Sequence, residues 1–176
     1  MSKIKDAIRT IPNFPIDGIM FRDVTTLYSN PNAMKEVVNL TANFWENEGL
    51  TCVAGIEARG FVTGSLIANY LSLPFIPIRK KGKLPHQTIS QDYDLEYGKA
   101  TLEIHIDALN KSDNVLIVDD LIATGGTALA SVELVKRLKA NVQGCSFIID
   151  LPALGGRKKI ENIGIKVQTL CAFEGH

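Results

Sequence analysis

The segment Val115–Thr127, VLIVDDLIATGGT, constrains the fold of this chain more than any other. Four apolar residues read as a central strand over Asn114–Val118, two acids mark its C-terminal end, and a small Gly-containing loop opens into a helix over Thr127–Lys139. A loop of that kind is an anion cradle, because the unpaired N–H groups of a helix N-terminus point outward and the helix dipole adds partial positive charge. Gly125 and Gly126 allow close approach of a phosphate, and Thr124 and Thr127 offer hydroxyls. Asp119 and Asp120 stand where carboxylates could hold sugar hydroxyls, directly or through a metal-bound water. The alternative is a plain strand-to-helix turn with an exposed acidic pair. Other phosphate motifs do not fit: the loop lacks the Gly-Lys-Ser/Thr ending of a P-loop, and no G-x-G-x-x-G follows a strand.

Short β-branched runs alternate with helical segments along the rest of the chain, so the fold class is α/β with a central, mostly parallel sheet flanked by helices. Further strands are expected at Thr51–Ile56, Phe75–Ile78, Gln143–Ile149 and Lys166–Ala172. Helices are expected at Lys3–Thr10, from Pro31 to before Gly49, at Phe61–Leu71 and near Gly155–Glu161, with a loop over Ile11–Arg22. The polar stretch Arg79–Lys99 reads as a long functional loop, and Leu102–Ile106 as its return in a solvent-facing antiparallel hairpin.

With 176 residues, 45% of them apolar, the chain can bury one sizeable core, and a single domain is expected. Nineteen basic residues balance nineteen acidic ones, which removes the long-range attraction needed for nonspecific nucleic-acid or membrane binding. Met1–Pro12 lacks the apolar stretch of a signal peptide and no run approaches a membrane span, so a soluble cytoplasmic protein is expected. Cys52, Cys145 and Cys171 lie apart inside or beside apolar runs and read as buried, idle thiols. His86, His105 and His176 are scattered, which gives a histidine metal cluster or a nucleophile triad little to stand on.

Two other segments carry charge suited to phosphate. Arg59, in Glu57-Ala58-Arg59-Gly60 at a helix start, is either a surface arginine or a fork for a second phosphate group. Arg79, Lys80, Lys81 and Lys83 place four cations in five positions, which is either a solvated face or a site for a polyanion. Tyr93–Gly98 carries Glu96 on the long loop, where it is an exposed hairpin residue or part of a closure that excludes water.

Val115–Thr127 resembles the phosphoribosyl pyrophosphate (PRPP) signature of type I phosphoribosyltransferases, in wording closest to their adenine-specific branch. FPIDGIMFRDVTTL, GIEARGFVTGSLIA, IRKKGKLP and YDLEYGKATLEIH also resemble segments of that branch, so the likeness covers nearly the whole chain. It implies a type I phosphoribosyltransferase fold with an N-terminal hood (1–33), a PRPP-binding core (34–150), a flexible catalytic hairpin (80–106) and a C-terminal segment completing the base pocket (151–176). The implied reaction joins adenine to PRPP, giving AMP and pyrophosphate, with Mg2+ as cofactor and a homodimer as the assembly.

By the same resemblance Ala123, Thr124, Gly125, Gly126 and Thr127 hold the 5-phosphate, and Asp119 and Asp120 lie against the ribose hydroxyls or a magnesium-bound water. Arg59, Arg79 and Lys83 take the pyrophosphate, Lys80 and Lys81 are weaker candidates, and His86 receives no role. Glu96 and Arg59 are the implied catalytic residues. Met20, Phe21, Arg22 and Leu151 are the implied adenine contacts, with Phe21 packing rather than reading the base. A non-proline cis peptide at Glu57–Ala58 is also implied. Leu151, where a 6-oxopurine enzyme would need a donor such as Lys, favours adenine.

Overall fold

The computed structural model describes residues 3–94 and 98–175. In chain order the elements are α1 (Lys3–Asp6), β1 (Arg9–Pro12), β2 (Met20–Asp23), α2 (Thr25–Tyr28), α3 (Pro31–Trp45), β3 (Cys52–Ile56), α4 (Arg59–Tyr70) and β4 (Phe75–Lys80). There follow β5 (Thr88–Asp94), β6 (Lys99–His105), β7 (Asn114–Ile122), α5 (Gly126–Arg137), β8 (Asn141–Asp150), a 3-10 turn at Pro152–Leu154, α6 (Gly156–Asn162) and β9 (Lys166–Ala172).

Seven strands form one sheet in the order β5-β6-β4-β3-β7-β8-β9. The five from β4 to β9 run parallel, and β6 joins β4 antiparallel, carrying β5 on the edge. Strand β3, CVAGI, is buried throughout, as a central parallel strand must be with helices on both faces. Alternation along β7 sends Val115 and Ile117 to the face covered by α5, and Leu116 and Val118 to the face of α4 and Trp45.

Helix α3 starts where Asn30 accepts a hydrogen bond from the Ala33 N–H and Pro31 takes the first turn. Its residues Met34, Val37, Val38, Thr41 and Trp45 recur at helical spacing and are buried. Trp45 packs against Gly144, where an added Cβ would sit 2.0 Å from the indole. Its Nε1 donates to Gln168 at 2.8 Å, and Gln168 in turn accepts from Ser146 and donates to the Leu40 carbonyl. Truncating Trp45 would therefore leave a large cavity and remove one of the two hydrogen bonds that Gln168 accepts, at a cost of about 3–5 kcal/mol.

Several expectations need correction. The N-terminal helix ends at Asp6, and Arg9–Pro12 is a strand paired with Met20–Asp23 inside what the sequence suggests is a loop. That pairing is held by the Arg9–Asp23 ion pair, a contact between segments too polar to announce a sheet. Arg79 and Lys80 belong to β4 rather than to a loop, and Thr88–Asp94 is a full strand. The return strand β6 is not solvent-facing: Leu102, Glu103 and Ile104 are buried because β6 docks on β4 and the hairpin lies against α5. Strand β7 continues through Ile122, so Asp119 and Asp120 lie within it, not at its end.

Cys52 and Cys145 are buried and Cys171 is half-buried, and burial pushes the three thiols up to about 11, 12 and 11. His86 and His105, distant in sequence, come together with ring centres 6.1 Å apart. No group of three or more metal-ligating side chains occurs among the described residues. No helix among them is long and apolar enough to cross a membrane.

Candidate active site

Arg59, Asp119, Asp120 and Ala123–Thr127 line one cleft at the carboxyl ends of the parallel strands, together with Leu121, Ile122, Ala128 and Phe147. Open α/β sheets bind ligands in that position. Gly125 has φ +85° and acts as the N-cap of α5, a left-handed conformation that favours glycine. Beyond it the first N–H groups of α5 have no partner within the helix and open onto the cleft.

The two acids differ in surroundings. Alternation puts the buried Asp120 on the α4 side of β7, where Arg59 Nε lies 2.8 Å from its Oδ2 as an ion pair without a hydrogen bond's alignment. Asp119 is partly buried and accepts a hydrogen bond from the Asp120 N–H at 2.9 Å. Burial, and then the charge of Asp120, pushes the Asp119 carboxyl well above its ordinary value. Burial also raises Asp120, against the pull of Arg59.

Gly60 explains how α4 comes so near. A Cβ there would meet the Val118 carbonyl at 2.6 Å and Asp119 Oδ1 at 3.0 Å, so only glycine lets the helix start against β7. The Glu57–Ala58 peptide just before α4 is cis, as the resemblance implies. Tyr28, which the sequence did not single out, donates from its hydroxyl to the Arg59 carbonyl at 3.1 Å, and burial pushes its phenol up.

Arg79 and Lys83 do not line the cleft. Both turn to Glu57: Arg79 Nε donates to it at 3.3 Å, the Lys80 N–H donates at 3.0 Å, and Lys83 Nζ is in short contact with its other oxygen. Burial pushes the Glu57 carboxyl up, but these donors prevail and hold it below its ordinary value. Sequence reasoning assigned Glu57 no side-chain role. Its place at the end of a buried strand beside a run of cations was the signal available.

Met20, Phe21 and Arg22 lie on β2, outside the cleft lining. Phe21 packs edge-on against Phe14 at 5.1 Å, and Arg59 stands 6.0 Å from its ring, so this segment leans over the α4 end of the cleft. The Arg22 guanidinium is engaged elsewhere, stacked 4.4 Å over Phe173 and donating to Thr10. Leu151 packs with the N-terminal elements and β9. Glu96 lies outside the described residues, while Tyr93 and the Asp94 carbonyl reach the cradle beside Gly126.

A cleft that pairs two strand aspartates with a glycine-capped cradle, on this sheet order, defines a phosphoribosyl-transferring class of fold. The family model for the phosphoribosyl transferase domain matches residues 23–171. Adenine phosphoribosyltransferase of Dinoroseobacter shibae is 55% identical over 172 residues, spanning 98% of this chain and 96% of that protein. The crystal structure of the Rhodothermus marinus adenine phosphoribosyltransferase superimposes with a TM-score of 0.91 at 45% identity, covering 97% of this chain and 96% of that one. The Saccharomyces cerevisiae enzyme, solved with an imino-altritol bisphosphate and adenine, gives 0.91 at 37% identity over 96% and 97%. The chain belongs to the phosphoribosyltransferase family and, within it, to the adenine phosphoribosyltransferases.

Proposed function

We propose that this chain transfers the 5-phosphoribosyl group of PRPP to N9 of adenine, releasing AMP and pyrophosphate. The observation that carries the reading is the convergence of Arg59, Asp119, Asp120 and the Ala123–Thr127 cradle on one cleft. The cradle takes the 5-phosphate and orients the sugar, remote from the bond that breaks. Asp119 and Asp120 accept the ribose hydroxyls, and Arg59 faces the departing pyrophosphate, where negative charge grows in the transition state. Arg79 and Lys83 join Arg59 by leaving Glu57 for the stronger anion. Adenine enters beneath Met20–Arg22 and against Leu151, and Glu96 exchanges the proton on the purine.

The donor set suits a hard cation. Asp119 and Asp120 both line the cleft and would hold it through water, in keeping with Mg2+, which retains waters and uses one or two carboxylates plus substrate phosphates. When bound with PRPP, magnesium supplies positive charge to the leaving pyrophosphate. The protein works in the cytoplasm as a homodimer. Val62, Leu66 and Tyr70 repeat as an exposed apolar stripe on α4, where Leu66 and Tyr70 share a groove with Met34 and Val38 of α3, and two copies meet there.

The test supplies PRPP and Mg2+ with adenine, hypoxanthine, guanine or xanthine in separate reactions and follows nucleotide formation, with Glu96→Ala alongside. AMP from adenine alone, slowed in the variant, is expected. Turnover of a 6-oxopurine would sink the base assignment, and PRPP binding without turnover would leave a sensor instead of an enzyme. Light scattering on Leu66→Glu separately tests the dimer face, and an unchanged mass would refute it.

A further inference from the structure

The phosphate cradle has an outer side, and α6 is built against it. The Gly156 N–H donates to the Ala123 carbonyl at 2.9 Å, and Lys159 Nζ donates to the next carbonyl, that of Thr124, also at 2.9 Å. Gly156 is pressed so close that a Cβ would stand 2.3 Å from the Ala123 oxygen and 2.6 Å from the Gly125 nitrogen. Helix α6 is itself fixed: Ile160 is fully buried, and Arg157 donates to Glu161 on its own helix and to Thr169 of β9.

In a trans peptide the C=O and the following N–H point in opposite directions. Two consecutive carbonyls drawn outward toward α6 therefore turn the N–H groups of Thr124 and Gly125 the other way, toward the cleft. Without an outside partner, the Thr124–Gly125 peptide next to a left-handed glycine would be free to rotate, and its N–H would have to be reoriented each time an anion arrived. A lysine is suited to the task, since an ammonium donor bonds a carbonyl more strongly than a neutral N–H does and adds positive charge behind the anion site.

We infer that Lys159 is a positioning residue for the 5-phosphate: it acts through the Thr124 carbonyl to hold the Gly125 N–H in its anion-binding orientation. This rests on the reading of the cleft as a PRPP site. The consequence is confined to binding, because the phosphate it serves is remote from C1 of the ribose, so KM for PRPP should move while kcat does not.

The experiment compares wild type with Lys159→Met, Lys159→Arg and, as a neighbouring control, Lys158→Met. It varies PRPP at saturating adenine, titrates ribose 5-phosphate by calorimetry, and follows thermal unfolding. The expected result for Lys159→Met is a rise of about fivefold in both KM for PRPP and Kd for ribose 5-phosphate, with kcat within about twofold and Tm unchanged. Lys159→Arg should recover most of the loss, and Lys158→Met should match wild type. A Lys159→Met protein with wild-type KM and Kd overturns the inference, and so does one in which kcat and Tm fall together with KM, which would make Lys159 a structural prop. Wild type that binds no ribose 5-phosphate would instead overturn the reading of the cleft, and the inference with it.

Discussion

The two groups of residues proposed to meet the anions of PRPP are built from different material. The cradle at Ala123–Thr127 uses backbone N–H groups, and its shape is set by backbone contacts: a left-handed Gly125, a helix start and the α6 segment packed behind it. The other group uses long side chains: Arg59 in the cleft, paired with Asp120, and Arg79 and Lys83 outside its lining, both paired with Glu57. A group that stays attached to the sugar through the reaction can be met by a rigid surface. One that departs is better met by charges that can exchange partners, since the carboxylates take them back when it leaves.

The comparison breaks first at Arg59. Arg59→Ala removes a charge aimed at the leaving group and strands the buried Asp120, so steady-state kcat/KM for PRPP should fall on the order of 100-fold, mainly through kcat. The cradle should fail differently. Gly125→Ala forces a Cβ into the left-handed region 3.0 Å from Gly156 Cα, and about a tenfold loss, carried by KM for PRPP, is expected. Equal losses in kcat for both variants would erase the distinction drawn between the two groups.

Glu57→Gln sharpens it from the other side. With the competing carboxylate neutralised, Arg79 and Lys83 are more available, so product-inhibition assays should show pyrophosphate binding about threefold more tightly. Smaller effects concern stability. The Asp119 carboxyl is raised in the fold, so its charged form disfavours folding above that raised value and not below the unfolded one. Asp119→Asn should then melt higher than wild type at neutral pH, with the gain vanishing in acid, even as activity drops.

Asp23 has the opposite sign. Hydrogen bonds from Arg9, then from Thr25, bring its carboxyl from 3.8 to about 2, so its contribution is present above the unfolded value and is lost as pH falls toward 2. Asp23→Asn should be less stable at neutral pH and indistinguishable from wild type in acid, measured by denaturant titration at each pH.

What the sequence disclosed follows from range. Strand β3, the strand-loop-helix of the cradle and the cap of α3 are encoded within a dozen residues, by apolar runs, glycines and an Asn-Pro start, and they appear where expected except that the cradle's strand runs on through Ile122. The errors lie where distant segments decide the structure. Arg9–Pro12 becomes a strand only through Met20–Asp23, and β6 is buried only because β4 and α5 receive it. In the cleft, spacing brought out Arg59, the two aspartates and the cradle. Phe147, Tyr28, Gly156 and Lys159 carry no local signature, since each owes its position to a neighbour remote in sequence, as with the 35 residues separating Lys159 from Thr124.

The N-terminal elements beside the α4 end of the cleft are anchored by residues late in the chain. Ile4, Ile8, Val24 and Leu27 pack with Ile148, Ile149 and Phe173, and Lys5 donates to the Ala172 carbonyl 167 residues away. During synthesis these elements leave the ribosome long before β8 and β9, which complete their packing. Helix α3 covers part of their apolar side early, but the part that faces β8 and β9 stays open until those strands are made, and such surfaces invite aggregation. Damage near Phe173 should therefore act on yield in the cell before it acts on chemistry.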